Sequence, residues 1–228
     1  MVIVRIFGRP CTSEGFILNI SFIGAALLAA TFATAGQAAT LDQEFVSTEV
    51  AGARIGDTGT STTNVAQVQT FTAGLSGTLA SVSIHVLRYD DTTGPLTVDL
   101  LSTAGSTPSG SLGSVSLAAA LIDTSANWVS FDFSSLGLSM DTGTVYGIQA
   151  STPSGSRYSF RAAVGPEATY AGGQRFATGD GGATYTGYAN WDFSFRTYVD
   201  TAEVPLPAGL PLLAGALGLM GWIRRRPA

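Results

Sequence analysis

The chain has 228 residues, no lysine and one cysteine, with a formal charge of −5 and a mean hydropathy of +0.29. Between Thr40 and Glu203 six arginines stand against fifteen acidic residues, a formal charge of −9, and such a domain repels phosphate backbones, which excludes nucleic acid as an expected partner. Cys11 precedes the first apolar segment, so the rest of the chain has no disulfide framework and no thiolate metal site, and without lysine there is no phosphate-gripping glycine loop of the usual kind.

Residues 1–39 read as a secretory signal peptide. Arg5 and Arg9 supply positive charge, Phe22 to Phe32 form an apolar stretch rich in Ala and Leu, and Ala35-Gly36-Gln37-Ala38-Ala39 is a run of small residues. Gly36 and Ala38 have the spacing signal peptidase needs, so cleavage is expected after Ala38 or Ala39. The alternative is an N-terminal membrane anchor. Residues 40–64 read as a flexible lead-in, because 47–64 are poor in large apolar side chains.

From 65 to 199 short alternating segments recur between Gly/Ser/Thr clusters, the pattern of an antiparallel β-sandwich. Val82, Ile84 and Val86 share one face of a strand over Thr78 to Tyr89, with Ser81, Ser83 and His85 on the other. Leu96, Val98 and Leu100 repeat the pattern, as do Val129, Phe131 and Phe133. Thr144 to Ala150 and Arg157 to Ala162 give two more strands. In the last, Trp191, Phe193, Phe195 and Thr197 point one way and Asp192, Ser194, Arg196 and Tyr198 the other. Turn signals fall at 90–95, 106–110, 151–156 and 179–182, and the Ala-rich stretch Leu112 to Leu121 offers one short helix.

Several pieces of this region occur in a suggestive order: Gln69-Thr70-Phe71-Thr72, Thr78-Leu79-Ala80-Ser81-Val82, Pro95-Leu96-Thr97-Val98, Trp128-Val129-Ser130-Phe131, Gly143-Thr144-Val145-Tyr146, Tyr170-Ala171-Gly172-Gly173 and Asp192 to Tyr198. In that order they resemble bacterial surface jelly-roll domains of the choice-of-anchor type. The resemblance implies a β-sandwich related in shape to carbohydrate-binding modules, with no established activity.

The segment 200–228 is the most informative. Val204-Pro205-Leu206-Pro207-Ala208 is followed by an uncharged run to Ile223 and then by Arg224, Arg225 and Arg226. Leu206 to Ile223 is 18 residues, about 27 Å as a helix, enough to cross a hydrocarbon core. Pro205 and Pro207 fit at or before a first helical turn. The arginines stop translocation and hold the tail in the cytoplasm with the domain outside. Motif, apolar run and basic cluster together are similar to the VPLPA variant of PEP-CTERM sorting signals. That resemblance implies recognition by an exosortase, transient membrane anchoring by the helix, and association with exopolysaccharide at the surface or in the matrix of a Gram-negative bacterium. An ordinary tail anchor is the alternative.

Little else in the chain carries chemistry. His85 is the single histidine and sits mid-strand, where a structural or surface role is expected. Asp90, Asp91, Glu167, Asp180 and Asp192 are the carboxylates a glycosidase could pair, yet most fall where turns favour Asp for backbone reasons. Asp90, Asp91 and Asp180 could offer hard oxygens to calcium, but no ligand string of fixed spacing appears, and no cofactor is expected. Tyr158, Tyr170, Tyr185, Tyr188 and Trp191 cluster late in the chain; of these Tyr185, Tyr188 and Trp191 are the candidate sugar contacts, against a reading as core or rim residues. The expected function is thus a non-catalytic exported surface protein, with a carbohydrate-binding module as the alternative and a secreted glycoside hydrolase behind both.

Overall fold

The computed structural model describes residues 38–47, 51–57, 63–165 and 170–201. The expected leader up to residue 37, Glu167, the motif Val204 to Ala208, the apolar run 206–223 and the arginines 224–226 lie outside them. Among the described residues no helix is long and apolar enough to cross a membrane.

The described part is all β. Its strands are β1 (Thr40–Phe45), β2 (Ala51–Gly56), β3 (Ala66–Thr72), β4 (Gly77–Arg88), β5 (Leu96–Ala104), β6 (Thr107–Leu117), β7 (Asn127–Asp132), β8 (Ser139–Met140), β9 (Val145–Ser151), β10 (Arg157–Val164), β11 (Arg175–Thr178), β12 (Thr186–Tyr188), β13 (Trp191–Phe193) and β14 (Phe195–Asp200). One sheet of eight strands follows the path β1-β14-β4-β10-β13, with β2 on β10 and β7 and β8 on β4. The other runs β12-β11-β3-β9-β5-β6. All the named pairings are antiparallel.

The inward faces of the two sheets meet in one core. Val82, Ile84 and Val86 of β4 and Leu96, Val98 and Leu100 of β5 are fully buried in it, together with Phe71, Phe131, Phe133, Phe160, Phe193 and Phe195. Each such ring contributes about 1.5–3 kcal/mol through the apolar surface it removes from water. The alternation expected for β4, β5, β7, β9 and β10 is therefore the pleat that builds the sandwich.

Three expectations need correction. Residues 40–64 are not simply a lead-in, for β1 and β2 are both integral strands paired with β14 and β10. The small side chains of β2 are what let it lie close: a Cβ on Gly52 would come 2.5 Å from Ser159 Oγ. The stretch Leu112 to Leu121 forms no α-helix; β6 runs to Leu117, and only a single 3-10 turn, Ala119–Leu121, follows. The turn expected at 106–110 is tighter and earlier, at Gly105 and Ser106, where Gly105 takes a φ of 68° and Thr107 already belongs to β6.

A fourth difference decides the architecture. The last segment is not one uninterrupted strand with Asp192 and Ser194 facing solvent. Up to Phe193 the chain pairs with β10, and from Phe195 it pairs with β4 and β1. The change of partner falls on Ser194, which is fully buried. Its N–H donates to Arg161 O at 3.0 Å and its carbonyl accepts from the His85 N–H at 3.1 Å. Its Oγ accepts from the Ser47 N–H at 2.9 Å.

Beside this switch, Asp192 turns inward toward the other sheet and is 3% exposed. The Gln69 Nε2 of β3 donates to Asp192 Oδ1 at 2.8 Å, and Gln69 Oε1 accepts from the Phe193 N–H at 2.8 Å. The Tyr170 N–H donates to Asp192 Oδ2 at 2.9 Å. Burial pushes the Asp192 carboxyl above its usual range, while these two donors pull it back. A carboxyl raised in the folded state holds its proton more tightly there, so its ionisation costs stability as pH rises from about 4 through the raised value.

Two outcomes follow in urea denaturation of the full chain. Asp192→Ala leaves the Tyr170 N–H without its acceptor and the Gln69 amide nitrogen with only the Thr70 carbonyl, and is expected to cost about 1–3 kcal/mol. Asp192→Asn keeps one acceptor, costs less, and loses the decline in stability with rising pH that the carboxyl contributes.

Candidate functional site

The three candidate sugar contacts fall in two places. Arg175 of β11 faces Tyr188 of β12 across one ladder and Gln69 of β3 across the other. Its guanidinium carbon lies 4.2 Å from the centre of the Tyr188 ring, 4.4 Å from Trp191 and 5.3 Å from Phe193. Both Nε and Nη2 donate to Gln67 Oε1, at 3.1 and 3.0 Å, and Gln67 Nε2 donates to Arg54 O at 2.7 Å. Arg175 is 7% exposed and pairs with no carboxylate among the described residues. Burial lowers its pKa, but a guanidinium stays charged, and the ring faces replace the hydration it has lost. Tyr188 and Trp191 therefore wall in a buried cation.

Tyr185 lies elsewhere, on the outward face of the six-stranded sheet. It packs against Val68, Leu101 and Phe176, and its hydroxyl donates to Gln149 Oε1 at 3.2 Å. Asp99, opposite Gln149 in the ladder, accepts from Ser111 Oγ at 3.3 Å, and its carboxyl is raised by burial. Near one end of β3 and β9, a hollow of about 260 Å³ is lined by Thr70, Thr72, Ser106, Val145 and the segment 171–174. The loop sits so close to β3 that a Cβ on Gly173 would run into the Thr70 carbonyl. Both threonine hydroxyls of the hollow are already engaged: Thr70 Oγ1 accepts from the Gln174 N–H at 2.9 Å, and Thr72 Oγ1 donates to Gly172 O at 2.8 Å.

The carboxylates weighed for hydrolysis or calcium are spread out. Asp91 pairs with Arg157 at 2.5 Å beyond the end of β4. Asp180 is held by the Thr184 hydroxyl and N–H and by the Thr178 hydroxyl, which keep its carboxyl well below the usual range. Asp192 is the buried inter-sheet tie. Among the described residues no three His, Cys, Asp or Glu side chains gather as a metal site.

A cluster that sequence reasoning did not assemble, His85 with Trp128 and Arg196, is on the outward face of the eight-stranded sheet. His85 and Trp128, opposite each other in the β4–β7 ladder, stack with ring centres 5.2 Å apart. The Arg196 guanidinium lies 4.1 Å from the centre of the Trp128 ring and bonds Glu44 at 2.6 Å. Burial lowers the pKa of His85, and the charges of Arg161 and Arg196 lower it further against one backbone hydrogen bond at Ala126. The signal for this cluster was present, since His85, Trp128 and Arg196 all hold outward positions of alternating strands, but their adjacency needs the strand order. Ala38 and Ala39, the expected cleavage residues, are exposed immediately before β1. Comparison with family models, with curated proteins and with solved structures gives no match.

The cage gives a testable coupling. In a double-mutant cycle, Tyr188→Ala and Arg175→Ala should interact by about 0.5–2 kcal/mol in urea denaturation, whereas simple additivity would show that the stack contributes nothing.

Proposed function

We propose that the chain is an exported, non-catalytic surface or matrix protein, delivered by an exosortase that reads Val204 to Ala208 and associated with exopolysaccharide. The observation that carries this reading is the order of the tail: a five-residue motif with two prolines, an apolar run long enough to span, and three consecutive arginines. The prolines keep the motif extended and readable. The apolar run sets the motif at the outer face of the bilayer. Moving each arginine to the bilayer centre costs about 2.5 kcal/mol or more, so translocation halts there.

The domain suits such a life. It needs no disulfide, its charge keeps it soluble, and its first strand begins at Thr40, directly after the cleavage residues Ala38 and Ala39. β1 is tied in by the Asp42 carboxylate, which accepts from the Gly74 and Leu75 N–H groups at 2.8 and 2.7 Å. A mature chain that starts at Ala39 or Thr40 keeps all of this strand. The jelly-roll resemblance and the two-sheet architecture support display of a rigid β domain by the sorting tail. A second reading, a carbohydrate-binding module, is favoured by the cationic and aromatic outward face around Trp128.

Two measurements test the first reading. N-terminal sequencing of the exported protein should begin at Ala39 or Thr40, and an intact Met1 would refute removal of the leader. An epitope tag placed after Ala228 should be lost from surface-exposed wild type and retained in the Pro205→Ala, Pro207→Ala double variant. Retention in both would reduce the tail to an anchor.

A further inference from the structure

The six arginines of the domain are not spread evenly. Five of them, Arg54, Arg88, Arg157, Arg161 and Arg196, belong to strands of the eight-stranded sheet, and the sixth, Arg175, is caged. Arg88 is spent at the sheet's end on the carbonyls of Ile122 and Thr92, and Arg157 on Asp91. The other three point outward. Arg54 sits between the core residues Ala53 and Ile55, Arg161 between Phe160 and Ala162, and Arg196 between Phe195 and the buried Thr197.

The ladder places them together. Arg54 is opposite Ser159, hence diagonal to Arg161 at roughly 7–8 Å between backbones. Ser194 bonds both Arg161 and His85, His85 stacks on Trp128, and Arg196 is opposite Ser83 of the same strand as His85. The result is a stripe of guanidinium, imidazole and indole across the sheet. Glu44 answers Arg196, but neither Arg54 nor Arg161 forms an ion pair with a described residue. Arg161 Nε is buried without a hydrogen-bond partner. A domain of charge −9 has thus gathered its free cationic groups on one face.

We propose that this face binds an acidic polysaccharide, whose uronate carboxylates pair with Arg161 and Arg54. The planar guanidinium fork suits a carboxylate. Charge density decides between polymers. Nucleic acid carries a charge about every 1.7 Å and meets the repulsion of the whole domain, while a polyuronate carries one charge per sugar and many neutral hydroxyls. The exposed Ser130, opposite Ser83 in the β4–β7 ladder, adds a hydroxyl on the same face. The proposal rests on the carbohydrate-binding reading of the domain and not on the tail.

The test uses the full chain in non-ionic detergent against immobilised polygalacturonate, dextran and a single-stranded oligodeoxynucleotide at low salt. Polygalacturonate should bind, dextran should not, and added salt should weaken binding. Replacing two charge-assisted contacts, Arg54→Gln with Arg161→Gln, should weaken binding by about tenfold or more. Glu44→Gln frees Arg196 and should tighten it by up to about threefold, a gain that loss of folding could not produce. Equal binding of dextran, unchanged affinity in the double arginine variant, or tighter binding of the oligonucleotide overturns the proposal. A tag that stays on the wild-type surface protein while polygalacturonate binds would defeat the sorting reading alone.

Discussion

The sandwich depends on one residue's worth of chain, the change of partner at Ser194. Before it the strand is held by β10, and after it by β4 and β1. No side chain larger than serine could keep the same three backbone and side-chain bonds there without displacing buried neighbours, since the residue is fully enclosed. Asp192 and Phe193, directly before it, are the residues through which Gln69 grips the opposite sheet. A buried amide that uses both its oxygen and its nitrogen across the core fixes the register of β3 against β13, which apolar packing alone specifies less sharply. The burial of the Asp192 carboxyl is tolerated because each oxygen has a donor.

The same local break explains where polar chemistry ends up. Tyr170, drawn in by its N–H bond to Asp192, donates its hydroxyl to Gln43 Oε1 at 2.8 Å, and its ring meets Phe195 edge-on with centres 5.2 Å apart. Burial, with the charges of Asp42 and Asp192 nearby, pushes its hydroxyl up to about 12. The tyrosine thus remains a neutral donor at any physiological pH and ties β1 into the assembly. On the other side of the break, Trp191 leans on Arg175. A run of aromatic and acidic residues that looks like a ligand platform is consumed by the needs of the fold.

The sequence showed the sheets better than it showed their order. Period-2 alternation is a local signal, so β4, β5, β7, β9 and β10 were legible from Val, Ile, Leu and Phe positions alone. β2 was not, because Ala51, Gly52, Ala53 and Gly56 give almost no hydrophobic contrast; its place depends on close approach to β10, a tertiary fact. The helix expected over Leu112 to Leu121 does not form because Leu112 to Leu117 belong to β6 beside β5, which leaves only the alanines that follow for a single 3-10 turn. The Asp192 tie was hidden for a different reason. Alternation assigned the residue to the outer face, and only the bend at Ser194 turns it inward. Of the three candidate sugar contacts, Tyr188 and Trp191 both lie against Arg175, which comes from β11, whose pairing with β12 no local pattern announces.

What recognition remains open to this domain follows from that accounting. Flat sugar stacking needs ring faces turned to solvent, and the rings named from the sequence are largely engaged: Trp191 and one face of the exposed Tyr188 by Arg175, Tyr185 by Val68 and Phe176. Trp128 itself has His85 and Arg196 over it. The uncommitted groups are instead charged ones, Arg54 and Arg161. An acidic domain that uses only arginine, and sets its uncommitted arginines on one sheet, gains a short-range site without losing the long-range repulsion that keeps copies apart. Arginine serves better than lysine for this purpose, because its planar fork keeps direction on a β surface and its weaker hydration lets it sit half-buried among serines. The charge pattern, rather than the aromatic content, is the feature of this domain from which a ligand can be argued.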